Sequence, residues 1–135
     1  TYRRLADAAD AARRGARLIA TNTDATFPTP SGLAPGAGAL VAAVERASGR
    51  AAEPAGKPHA PMLEAVSRLL EPGPTWVVGD RPETDLALGT EAGWGRVLVL
   101  SGVTTDPDSV PAELRPDGVL ASVADLPAFL ADQSP

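Results

Sequence analysis

The sequence contains no cysteine, a single histidine and a single methionine. Without cysteine, disulfides, thiolate nucleophiles and zinc–thiolate sites are excluded, and one imidazole, His59, cannot build a histidine-rich metal centre. Aromatic residues make up only 4% of the chain, so an aromatic-rich core is excluded as well. Basic runs are missing: cations cluster no further than adjacent pairs such as Arg13-Arg14, and the net charge is −5. Nonspecific nucleic-acid binding needs clustered Lys and Arg, so no nucleic-acid partner is expected. No apolar run approaches the roughly 18 residues of a membrane span. Thr1-Tyr2-Arg3-Arg4 leads into a helix-like pattern without the apolar stretch of a signal peptide. The expectation is a cytoplasmic protein with no membrane partner. The chain opens on Thr1 and not on Met, from which we expect that Thr1 is not the natural start.

What is there is 135 residues with 44% apolar content, enough for a packed core. Leu5, Ala8, Ala9 and Ala12 recur at helical spacing, and Gly15 is a plausible stop. A short buried strand is predicted over 16–21. Residues 22–35, with Pro28, Pro30, Pro35 and several Thr and Ser, read as a long loop. A second helix is predicted over 36–48, closed by Gly49, and a weak strand over 51–55. A turn follows at Gly56-Lys57-Pro58, then a third helix over 61–70. Thr75-Trp76-Val77-Val78 is an apolar run of β-formers ended by Gly79-Asp80. A fourth helix over 82–92, strands over 96–100 and 118–120, and a closing helix over 123–130 complete the pattern. Short apolar runs alternating with helices indicate an α/β fold with a mostly parallel sheet, in which ligands bind beyond the carboxyl ends of the strands.

Gly79-Asp80-Arg81-Pro82-Glu83-Thr84-Asp85 is the sharpest feature. Asp80 at a strand's end projects toward the usual ligand site, and Gly79 permits close backbone approach. Asp85 follows in the next helix. Two acids so placed suit a hard cation with oxygen ligands that retains waters, which describes Mg2+. Helix capping by Asp80 is the ordinary alternative. Lys57, in a rigid turn, can direct an ammonium at a phosphate. Its ordinary alternative is a solvated surface lysine.

The order of these features resembles the third and fourth motifs of haloacid-dehalogenase (HAD) superfamily phosphatases: Gly-Lys-Pro, a helix, a β run ending Gly-Asp-Arg-x-x-Thr-Asp, then Gly89 and Ala92-Gly93. Upstream, Ala20-Thr21-Asn22-Thr23-Asp24, Pro28, Gly32, Pro35-Gly36-Ala37-Gly38 and Ser48-Gly49-Arg50 resemble subfamily IIA, the NagD and p-nitrophenylphosphatase-like group. Leu98-Val99-Leu100-Ser101-Gly102-Val103-Thr104 and Pro116-Asp117 fit its C-terminal pattern.

The resemblance implies a Rossmann-like core and an inserted C2-type α/β cap. Residues 1–52 would be the second half of that cap, and residues 53–135 the C-terminal part of the core. It implies a Mg2+-dependent phosphate-monoester hydrolase acting through an aspartyl-phosphate. Asp80 would be a metal ligand and Asp85 its support. Lys57 would hold the phosphate and the nucleophile. Asn22, Asp24 and Phe27 would lie on the substrate-facing cap loop, where loop packing is an equally ordinary role. The first motif, Asp-x-Asp-x-Thr, and the second, a Ser or Thr phosphate site, are absent from the 135 residues. Asn22-Thr23-Asp24-Ala25-Thr26 mimics the first motif, but Asn is a poor nucleophile and its place in the chain fits the cap. The chain alone is therefore expected to be inactive, with the missing N-terminal half supplied in cis or in trans. The substrate would be a small phosphorylated metabolite. A homo-oligomer is conceivable, because exposed core surface favours association. A noncatalytic α/β module with a vestigial acidic site, or a half-site needing a partner chain, is the alternative.

Overall fold

A computed structural model describes residues 1–133. Cα packing divides it into two units, Thr1–Pro61 and the segment from Met62 onward. In the first unit, α1 (Tyr2–Arg13) packs on α2 (Ala37–Ser48). The contact is made by small and β-branched side chains, with Ala9, Ala12 and Val44 buried. Arg13 Nη1 donates to the Ala47 carbonyl at 2.8 Å and ties the two helices at their C-terminal ends. Gly15 (φ 99°) and Gly49 (φ 71°) terminate them in conformations that L side chains rarely adopt.

The strand predicted over 16–21 narrows to β1 (Ile19–Ala20), parallel to β4 (Glu53–Pro54). It starts late because Ala16 is still tied back to α1, its amide donating to the Ala11 carbonyl. Pro54 is tolerated in β4 because a two-stranded ladder leaves one side of each strand without a partner.

The long loop predicted over 22–35 is a correction. The structure forms an antiparallel hairpin there, β2 (Thr26–Thr29) and β3 (Gly32–Pro35), with Phe27 opposite Ala34 and Pro28 opposite Leu33. The prolines suggested a loop, yet each strand of a two-stranded hairpin is an edge, where a missing N–H costs nothing. Thr29 Oγ1 donates to the Gly32 carbonyl at 2.7 Å, and Gly32 takes φ 119°, so the tip turns within Pro30-Ser31.

α3 (Ala60–Ser67) leads into the second unit, whose parallel sheet runs in the order β5 (Trp76–Gly79), β6 (Gly95–Val99), β7 (Gly118–Leu120). The helix predicted over 82–92 divides into a wide π-type turn, Pro82–Leu86, and α4 (Ala87–Ala92). α5 (Leu126–Asp132) closes the described chain after a capping box in which Ser122 and Asp125 satisfy each other's amides. The core is built on Leu86, Leu98 and Val110, with Leu100 and Leu114 against them. Leu86 and Leu98 are fully buried.

An aromatic pair sits across this sheet. Trp76 of β5 and Phe129 of α5 meet edge-on, ring centroids 5.3 Å apart at 88°. Gly95 and Gly118 make the room: a Cβ at 95 would overlap the Trp76 indole, and one at 118 would lie 2.6 Å from the Phe129 ring. Beside it Arg96 grips Asp117, with Nε and Nη2 each 3.1 Å from a carboxylate oxygen and the Arg96 amide at 2.9 Å. That guanidinium hydrogen bond holds the Asp117 carboxyl below the usual carboxylate range and raises the Arg96 pKa. The grip ties β6 to the chain entering β7.

Candidate active site

The first group of candidate residues lies in the first unit. Asn22 and Asp24 hold each other: Asn22 Nδ2 donates to Asp24 Oδ2 at 3.0 Å, and the Asp24 amide donates to Asn22 Oδ1 at 2.8 Å. This Asx geometry shapes the turn leaving β1. The turn lies on glycine backbone. The Gly36 and Gly38 amides donate to the Ala25 and Asp24 carbonyls at 2.8 and 2.9 Å. A Cβ at Gly36, Gly38 or Gly56 would overlap the carbonyls of Asp24, Thr23 and Thr21 respectively. Gly56 therefore brings the Lys57 turn against the Thr21–Asp24 segment. Lys57 itself is exposed, and Phe27 on β2 is half-exposed.

The second group lies in the second unit. Asp80 follows β5 at its carboxyl end, half-buried. Asp85 is 6% exposed, buried beneath the turn between β5 and the π-type turn. Its Oδ2 accepts the amides of both Asp80 and Arg81, each at 3.1 Å. Pro82 lacks an N–H, and the Ala87 amide reaches back five residues to the Pro82 carbonyl, the bond that widens the turn, while the Asp85 amide donates to the Arg81 carbonyl at 2.7 Å. A side chain at 79 would overlap the Asp85 carboxylate, so Gly79 is required by space.

A third participant was not assigned from sequence. The Val103 amide, in the segment after β6, donates to Asp80 Oδ2 at 2.6 Å, and the Thr104 amide donates to the Asp80 carbonyl at 3.2 Å. Ser101-Gly102-Val103-Thr104 follows β6, the strand neighbouring β5, and that pairing is not visible in the local sequence pattern.

Chemically, the two acids are not equivalent. Asp85 accepts main-chain amides and fixes the turn. Asp80 gives one oxygen to an amide, and its Oδ1 has no protein hydrogen bond among the described residues, so it can serve a hard cation. Among the described residues no cluster of three or more His, Cys, Asp or Glu forms a self-sufficient metal cage. No helix among them is long and apolar enough to cross a membrane.

The sequence profile of the HAD-hydrolase-like family matches residues 54–126, more than half of the chain. The chain belongs to the HAD-like hydrolase family. D-glycerol 3-phosphate phosphatase of Mycobacterium tuberculosis is 41% identical over 95% of this chain and 40% of its own length. A hypothetical protein of Pyrococcus horikoshii of known structure superposes with a TM-score of 0.85 at 41% identity, over 96% of this chain and 50% of that one. Glycerol phosphate phosphatase of M. tuberculosis, solved in complex with magnesium, gives 0.77 at 39% identity, over 90% and 38%. These relatives carry the HAD assignment to subfamily IIA and the fold to the α/β, Rossmann-like class. The HAD chain here spans about half or less of the length of the relatives it matches.

Proposed function

We propose that the chain is the metal-side and cap-side portion of a Mg2+-dependent phosphate-monoester hydrolase working through an aspartyl-phosphate. Residues 1–52 belong to a C2-type cap and residues 53–135 to the core; the family profile beginning at residue 54 supports that boundary, although the compact units divide after Pro61. The observation that carries the reading is the division of labour at the end of β5. Buried Asp85 fixes the turn by accepting two amides, and Asp80 keeps one carboxylate oxygen for a cation.

The donor chemistry fits Mg2+, which binds through one or two carboxylates together with waters and substrate phosphates. When bound, Mg2+ offsets the repulsion between a carboxylate nucleophile and the phosphate and neutralises charge on the phosphoryl oxygens. Asp80 ligates it, and Asp85 supports that site through the main chain. Lys57 supplies a compact positive charge for the phosphate and the nucleophile. Asn22 and Asp24 offer hydrogen bonds to a polar leaving group, and Phe27 an apolar surface. The nucleophile comes from a segment in cis or in trans, so the 135 residues alone are inactive. The substrate is a small phosphorylated metabolite; the glycerol 3-phosphate named for the mycobacterial relative is of that class.

The test is p-nitrophenyl phosphate hydrolysis by the full chain joined to its nucleophile half, with and without Mg2+. We expect Mg2+-dependent turnover that Asp80→Asn lowers on the order of 100-fold or more, since metal assistance supplies several kcal/mol. Turnover that ignores both Mg2+ and Asp80 sinks the reading. Absence of turnover with every motif intact favours a noncatalytic module with a vestigial acidic site.

A further inference from the structure

We infer that Gly102 is a positioning residue for the Asp80 carboxylate: it leaves the space that Asp80 Oδ2 occupies and presents the Val103 amide that holds it. The inference rests on the reading of Asp80 as a metal ligand. Two consecutive amides act on one residue, Val103 N–H on Oδ2 at 2.6 Å and Thr104 N–H on the Asp80 carbonyl at 3.2 Å. The first is short even for a charge-assisted N–H···O bond. It is a contact between segments 23 residues apart, carried across the β5–β6 pair.

Glycine at 102 is not there for its backbone freedom, because its φ lies outside the left-handed region. Nor is it a core position, since it is exposed. What a side chain would meet is Asp80 alone among the nearest atoms. A Cβ would overlap Oδ2, Cγ and Cβ of Asp80. Overlap with Asp80 Cβ means that turning the carboxylate does not clear the clash. The Asp80 main chain cannot retreat freely either, held by Asp85 at its amide and by Thr104 at its carbonyl. The damage from one added methyl therefore falls on the placement of the carboxylate and leaves the core untouched.

The test measures Mg2+ binding by calorimetry on the full chain, together with the Val103 amide proton by 15N–1H NMR and thermal unfolding. Gly102→Ala is expected to weaken Mg2+ binding by roughly 10- to 100-fold, the usual cost of losing a partner that orients a ligand. Its unfolding temperature should stay near that of the parent, and the Val103 amide should lose the downfield shift of a short bond to a carboxylate. In turnover, the Mg2+ concentration for half-activation should rise while kcat at saturating Mg2+ largely recovers. Ser101→Ala, with its exposed side chain, should bind Mg2+ like the parent. Asp80→Asn provides a reference that does not depend on the Gly102 variant folding, because it should move the Val103 resonance upfield in an intact chain. A Gly102→Ala protein with parental Mg2+ affinity and an unmoved Val103 amide overturns the inference while leaving Asp80 a ligand. Parental Mg2+ affinity in Asp80→Asn overturns the metal reading and this inference with it.

Discussion

Asp85 accepts the amides of Asp80 and Arg81 through the same oxygen, Oδ2, each at 3.1 Å. The carboxylate is buried, so its removal strands two main-chain donors away from water. Asp85→Ala should therefore destabilise the chain by about 2–3 kcal/mol, the scale for a lost bond to a charged group and its unsatisfied partners. Asp85→Asn, which keeps an acceptor oxygen, should lose less. Urea unfolding of the two variants checks the order, and equal losses would argue against the amide clamp.

The aromatic pair gives a second test, independent of the site. Gly118→Ala inserts a methyl 2.6 Å from the Phe129 ring. Overpacking of this kind costs about 1–3 kcal/mol. Combining it with Phe129→Leu should restore part of the loss, a coupling that a double-mutant cycle on unfolding free energies reads directly.

The Arg96–Asp117 grip predicts a pH dependence. The Asp117 carboxyl is held low by the Arg96 hydrogen bond, against an opposing effect of burial. A depressed folded-state pKa stabilises the fold above the unfolded carboxylate value of about 3.9, and the contribution fades as pH falls through the lower folded value. Asp117→Asn should be less stable than the parent at pH 7, by no more than about 1 kcal/mol given the 44% exposed side chain. The two unfolding curves should converge as the pH approaches the folded-state value. A gap that persists unchanged to the lowest pH contradicts the assignment.

On the cap side, Phe27 is half-exposed on β2. If it receives the leaving group, Phe27→Ala should raise KM for p-nitrophenyl phosphate several-fold more than KM for glycerol 3-phosphate, with kcat little changed, because uniform binding energy appears in KM. Steady-state kinetics with both esters checks this, and equal KM changes would assign Phe27 to loop packing.

Local pattern carried much of this fold into view. Gly49 marked the end of the predicted helix that became α2, and the apolar run through Val78 marked β5. The Gly79–Asp85 cluster drew attention to a carboxylate pair because glycine and acids at a strand's end are visible in one short window. Features set by pairing were hidden. The 26–35 hairpin looked like a loop because prolines are judged against interior strands, while these strands are edges. The π-type turn rests on the Ala87 amide reaching back to the Pro82 carbonyl, beside Asp85 accepting the Asp80 and Arg81 amides, and helical periodicity does not encode it. Arg96–Asp117 and Val103–Asp80 join residues 21 and 23 positions apart, and only the parallel register of β5, β6 and β7 brings them together.

Gly79 and Gly102 bracket the two aspartates, each filled up to its Cα by a neighbour's carboxylate. Positions that carry no functional group thereby become the least forgiving in the region. In a saturation screen, the columns for 79 and 102 should be uniformly intolerant, alanine and serine included, with severity tracking volume and not polarity. The column for Asp80 should sort by chemistry instead. The architecture thus writes two kinds of constraint into adjacent residues, one of shape and one of charge, and the substitution spectrum separates them.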